Sequence, residues 1–142
     1  MLNSLKSKDN KAFSSLIQMV EVLDTEEKCR MYLEKLRWND EPVCPHCGSV
    51  NKNHYKLNFK GVHKGLYKCK DCRNRFTVTV GTMFEGSHIK LKKWFMAIYL
   101  FSAHKKGISS SQLHRDLGVT QKTAWFMLSR IRYSFRAKTM MK

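Results

Sequence analysis

Cys44-Pro45-His46-Cys47 and Cys69-Lys70-Asp71-Cys72 decide how this chain is read. Each Cys-x-x-Cys pair turns the backbone tightly enough to present two thiolates to one ion. The segment between the pairs is long enough for a hairpin that brings the two turns face to face. Four sulfur ligands in a closed tetrahedron are the preferred shell of a structural zinc. The competing readings are four ordinary buried cysteines or two disulfides. Chance rarely places two such pairs at this spacing, so the expectation is structural Zn2+ on Cys44, Cys47, Cys69 and Cys72. A catalytic zinc keeps an open position, and an all-cysteine shell leaves none.

The residues around the pairs fit a ribbon. Gly48 follows Cys47 and allows the left-handed backbone that such a turn needs. His46, between two ligands, is expected to face solvent. His54-Tyr55-Lys56-Leu57-Asn58-Phe59 alternates apolar and polar, a strand pattern; Gly61 to Gly65 form a turn, and Leu66-Tyr67-Lys68 lead back into Cys69. Arg75 to Val80 is β-branched and alternating, a third strand. A core this small is marginal without a staple. Zinc supplies one, worth about 10–16 kcal/mol in comparable small peptides. With four cysteines filling the shell, His54 and His63 are expected at the surface. Lys52, Lys56, Lys60, Lys64, Lys68, Lys70, Arg73 and Arg75 line the hairpin as a phosphate track or as a charged edge that discourages strand aggregation.

Upstream, residues 1–12 are polar and basic and read as a frayed start. From Phe13, the residues Leu16, Ile17, Val20 and Leu23 make a helical stripe. Asp24 reads as an N-cap with Glu27 three positions on, opening a second helix that runs to about Arg37. Cys29, Leu33 and Leu36 share one face of it, and Cys29, which lacks a Cys-x-x-Cys partner, reads as a small core residue. Pro42 prevents the helix from continuing.

Downstream, a helix is expected from about Lys90 to His104, with Leu91, Trp94, Phe95, Ile98 and Phe101 on one stripe. Ile108-Ser109-Ser110-Ser111-Gln112-Leu113 then opens another: Ser109 caps, Gln112 reaches back, and Ile108 can staple onto Leu113. Gly118 ends that helix and Thr120 caps the next at once. Two short helices across a tight glycine turn form the helix-turn-helix pattern. Ala124, Met127, Leu128, Ile131 and Phe135 make the inner stripe of the last helix. Gln121, Lys122, Thr123 and Phe126 are expected to face a DNA groove, with Arg130 and Arg132 on phosphate. Trp125, at the border of the stripe, is expected to pack inward. A plain helical bundle with a basic face is the competing reading.

Lys plus Arg number 27 against 11 Asp plus Glu, a formal charge of +16. Such an excess points to a polyanion, because neutralising phosphates releases counterions. No apolar leader is visible, and the run from Trp94 to Phe101 is far short of the ~20 residues that span a bilayer. A reducing cytoplasmic compartment, associated with the nucleoid and away from membranes, is the expectation, and it favours metal thiolates over disulfides. The expected fold class is α+β: a small four-cysteine zinc β-ribbon (40–80) flanked by an N-terminal helical segment (1–39) and a C-terminal trihelical helix-turn-helix (90–136), with a linker at 81–89 and a tail at 137–142.

These residues carry a family resemblance. Leu36-Arg37-Trp38, Cys44-Pro45-His46-Cys47-Gly48-Ser49, Tyr67-Lys68-Cys69-Lys70-Asp71-Cys72, Phe76-Thr77-Val78, Gly81-Thr82-Met83-Phe84, and Thr123-Ala124-Trp125 through Arg130-Ile131-Arg132 resemble, in order, the N-terminal part of bacterial insertion-sequence transposases of the IS1595 type. The resemblance implies a zinc ribbon and helix-turn-helix that bind the element's terminal repeats as duplex DNA. It also implies a following acidic-triad nuclease domain of the RNase H type. Here no Asp or Glu follows Asp116. Two-metal phosphoryl transfer needs several converging carboxylates, so the expectation is a non-catalytic, truncated DNA-binding portion. Full-length transposase or a second copy of the chain are the further partners expected. Two other readings compete: a complete small metallonuclease, and a zinc-ribbon RNA- or protein-binding module of transcription or translation type. The helix-turn-helix favours duplex DNA, since the deep groove of A-form RNA is too narrow for a helix.

Overall fold

The structure is a computed structural model that describes residues 13–39, 41–50, 54–57 and 65–140, with the last four described by backbone alone. The stretch expected to be frayed at 1–12, the hairpin turn at 61–64, His63, Lys52, Lys60 and Lys64 lie outside the described residues. The elements are α1 (Leu16–Val22), α2 (Glu26–Trp38), β1 (Tyr55–Leu57), β2 (Leu66–Lys68), β3 (Arg75–Phe76), α3 (Leu91–Ala103), α4 (Ser110–Leu117) and α5 (Gln121–Met140). This is the α+β class expected, a small antiparallel sheet with helices on either side of it in sequence. No helix among the described residues is long and apolar enough to cross a membrane.

The chain forms two compact units. Among the described residues, the first runs from Thr25 to Gly86 and the second joins Phe13–Asp24 to Ser87 onward. The helical segment expected over 1–39 is therefore divided: α2 belongs with the sheet, and α1 packs against α3. The break falls at the cap. Thr25, rather than Asp24, is the N-cap of α2, its hydroxyl accepting from Lys28 N. Glu26 and Glu27 then sit in the first turn, where the helix dipole favours them. Met19 of α1 and Leu23 at its C-cap are buried and Leu16 and Val20 half-buried, while Ile17 is 71% exposed, so Met19 takes the inner place expected of Ile17.

In the first unit the sheet order is β1-β2-β3, antiparallel throughout. Tyr67 on β2 faces Phe76 on β3 across the ladder, and their rings stack at 5.7 Å. Trp38, at the end of α2, sets its ring edge-on against both, at 5.4 and 5.7 Å. Cys29 and Leu33, one turn apart on α2, are also buried. The third strand is shorter than the β-branched run suggested: Thr77 to Val80 leave the ladder in turns. The reason is visible at Val78, whose carbonyl accepts from Arg37 Nη1 at 2.7 Å, so a side chain from α2 satisfies backbone that a longer strand would have paired.

In the second unit, Leu91, Trp94, Ala97 and Ile98 of α3 are buried. So are Leu113 and Leu117 of α4, and Ala124, Met127, Leu128 and Ile131 of α5. Phe101 and Phe135 meet at 5.0 Å. The stretch expected as linker is ordered at its end: Ser87 Oγ accepts from Trp94 Nε1 and from Ile89 N, each at 3.1 Å. Likewise α5 continues to Met140, into the stretch expected as a tail.

Candidate metal centre and helical binding face

The two cysteine turns are built alike. Cys44 N donates to Ser49 O at 3.1 Å, and Cys69 N donates to Asn74 O at 2.9 Å, each closing a loop five residues on. Each turn then needs one left-handed residue after its second cysteine. In the first it is Gly48, at φ 73, as expected; in the second it is Arg73, at φ 61. An L-residue pays about 1–2 kcal/mol for that conformation.

The four sulfurs lie within 4.8 Å of one another. Their short distances run between the turns: Cys44 to Cys72 and Cys47 to Cys69, both 3.6 Å. Disulfide sulfurs sit at about 2.05 Å, so the two-disulfide reading fails. A tetrahedron with Zn–S bonds of about 2.3 Å has edges of about 3.8 Å, and the cluster fits it. Around Cys69, desolvation opposes the thiolate. Amides of Cys72 and Asp71 and the neighbouring Cys72 and Cys47 thiols outweigh it and bring the thiol down to about 6. For Cys47 the Ser49 amide favours the thiolate, but desolvation and the other three sulfurs push it up to about 12. The sulfurs thus compete for one negative charge, and a divalent cation at the centre removes the competition.

Two further contacts tie the turns together, and neither was foreseen from the residues alone. Asp71 Oδ2 accepts from Ser49 Oγ. His54, expected at the surface, is 7% exposed, with its ring edge-on to Phe76 at 5.6 Å. Its Nδ1 accepts from Lys70 N at 3.3 Å, which leaves Nε2 protonated to donate to Ser49 O at 3.1 Å. One neutral imidazole therefore spans both turns without being a ligand. His46 is exposed as expected, its Nε2 3.3 Å from Arg75 O.

Residues 24–75, which hold all four ligands, match the transposase zinc-ribbon domain family of IS1595-type elements. This segment is similar to a transposase zinc ribbon. Cys44, Cys47, Cys69 and Cys72 are its structural zinc site. The chain is also 30% identical over 106 residues to a protein of transposable element ISH50 from Halobacterium salinarum, an alignment covering 75% of this chain and 34% of that protein. The chain therefore spans about a third of the length of the curated relative it matches. No solved structure matches it significantly. The zinc ribbon also displays Lys56, Lys70, Arg73 and Arg75 as exposed cations.

Beyond the zinc ribbon, α4 and α5 meet across Gly118-Val119-Thr120. Ser109 caps α4 through Gln112 N, and Gly118 ends it at φ 64. Thr120 Oγ1 caps α5 by accepting from Thr123 N at 3.2 Å. Gln112 does not reach back as expected; its Nε2 donates forward to Asp116 Oδ1 at 3.0 Å. His114 Nδ1 meets the Val119 carbonyl and pins the turn.

The residues expected at a groove are differently placed. Lys122 and Gln121 are exposed at the start of α5, Gln121 Nε2 donating to Ser111 Oγ at 3.3 Å. Thr123 is half-buried, its hydroxyl bonded to Thr120 Oγ1 at 2.8 Å. Phe126 is 36% exposed and held edge-on to Trp94 at 6.4 Å, with the Arg130 guanidinium 4.6 Å above its ring. Arg132 is exposed, but its Nη2 donates to Ile108 O at 3.1 Å and so braces the connection between α3 and α4. Trp125 reverses its expectation: instead of packing inward it is 63% exposed.

Proposed function

We propose that this chain binds duplex DNA as the terminal-repeat-reading part of an insertion-element transposase, with a binding rather than a catalytic role. The α4–α5 pair is its helix-turn-helix, α5 the recognition helix, and the zinc ribbon a second basic surface that lies along phosphate. One observation carries the reading. Gly118 and the Thr120 cap start α5 immediately after α4, with Gln121 and Lys122 exposed on its first turn. A recognition helix needs that arrangement to set N-terminal side chains against base edges. The match of residues 24–75 to a transposase zinc ribbon and the net charge of +16 support the same partner.

Duplex binding measured across salt tests this. Zinc-loaded protein should prefer duplexes carrying its element's ends over scrambled controls. Lys122→Ala should reduce that preference, while Arg75→Ala should weaken all duplexes alike and reduce the salt slope by about one unit. Equal binding to ends and scrambled duplex, or RNA outcompeting both, would refute the reading.

A further inference from the structure

The outward side of α5 is not the polar surface that a solvated helix presents. Opposite the buried Ala124, Met127, Leu128 and Ile131 lie Lys122, Phe126, Ser129 and Tyr133 at helical spacing, with Trp125 and Arg136 on the flank of that outer side. Trp125 and Tyr133 are 63% and 76% exposed. Each leaves large apolar ring surface in solvent, surface that a partner can bury. The face carries cations and no carboxylate, for no Asp or Glu follows Asp116 anywhere in the chain. That charge selects a polyanion.

The aromatics are not equivalent. Phe126 is held between Trp94 and Arg130. Tyr133 lies about 12 Å along the axis from Trp125, at 1.5 Å per residue, beyond the first turns that a recognition helix inserts. Trp125 is about 6 Å from the start of α5 by the same rise, beside Lys122, with its neighbour Ser129 turning its hydroxyl back onto the Trp125 carbonyl at 2.9 Å. A small residue at that position leaves the indole uncovered on its C-terminal side.

We propose that Trp125 is a specificity-determining residue of α5, packing its indole on the C5-methyl group of a thymine in the major groove. This rests on the recognition-helix reading above. The thymine methyl is the one apolar feature that the major groove displays, and an apolar side chain is what distinguishes it. Lys122 reads bases beside it, and Trp125 adds the choice of thymine at one position.

The test uses zinc-loaded full chain and duplexes enriched from a pool with a randomised centre. Each thymine is replaced singly by deoxyuridine, which removes the methyl and keeps every hydrogen-bonding group. At one position the loss should weaken wild-type binding about fourfold, the transfer free energy of one buried methyl. Trp125→Ala should bind the two duplexes equally, and Trp125→Phe should keep part of the discrimination and guard against misfolding. Trp38 and Trp94 are 6% and 0% exposed, so acrylamide quenching reports chiefly on Trp125, and saturating DNA should suppress it. If sequence preference persists but Trp125→Ala still discriminates thymine from deoxyuridine, or quenching is unchanged in the complex, the Trp125 assignment falls and the recognition helix stands. If no duplex sequence is preferred at all, both fall.

Discussion

Residues 25–86 and the helices α3 to α5 reach a buried centre by different means. The first closes three short strands over Tyr67 and Phe76, with Trp38 edge-on, and joins two cysteine turns through a metal. The second interleaves Trp94, Leu113, Met127, Leu128 and Ile131 from three helices. Apolar contact stabilises the helices continuously along their length. In the ribbon, little apolar surface surrounds the cysteine turns, and a structural zinc is expected to hold them. The difference teaches that the two halves should fail separately.

Zinc removal is the largest blow to that comparison. Structural zinc is worth about 10–16 kcal/mol in small peptides. Chelation, or Cys44→Ser, should therefore unfold the ribbon while far-UV circular dichroism keeps most helical signal. A uniform collapse would show that the helices lean on the ribbon. Next in size is the converse lesion. Ile131→Ala empties a fully buried position and should cost about 2–5 kcal/mol, lowering the helical transition while zinc content by metal analysis stays at one ion per chain. His54→Ala should cost less, about 1–3 kcal/mol, since it leaves Ser49 O and Lys70 N without their shared partner. Its mark should be faster zinc loss to a chelator with the helical transition unmoved. Smallest is Arg73→Gly. Relief of the left-handed strain should raise zinc-ribbon stability by up to about 1 kcal/mol, whereas Gly48→Ala at the matching position should lower it by a similar amount; equal effects of one sign would mean that the turns are not equivalent.

Much of this was legible in the residues themselves, and the failures have physical causes. The ligands were legible because metal geometry dictates their spacing, and the caps at Ser109 and Thr120 because a hydroxyl before an apolar run has few other uses. Gly118 was readable for the same reason: its backbone conformation is open to few other residues. Asp24 and Thr25 are both good caps, and sequence does not choose between neighbours. His54 misled because a filled metal shell removes a histidine only from the ligand list, leaving its hydrogen bonds to the fold. The run from Thr77 to Val80 had strand composition, but the partner for its backbone was Arg37, which lies far away in sequence. Trp125 was misplaced because helical spacing gives an angle, while exposure is decided by the neighbouring helices.

Duplex affinity against salt, measured on zinc-loaded and chelated protein in parallel, tests the central claim most directly. The account predicts that zinc-loaded protein loses affinity steeply with salt and prefers selected duplexes. Chelated protein should keep a weakened preference with a shallower slope, because α5 survives while the cations of the ribbon lose their frame. An identical slope with and without zinc, or no preference in either form, would contradict it.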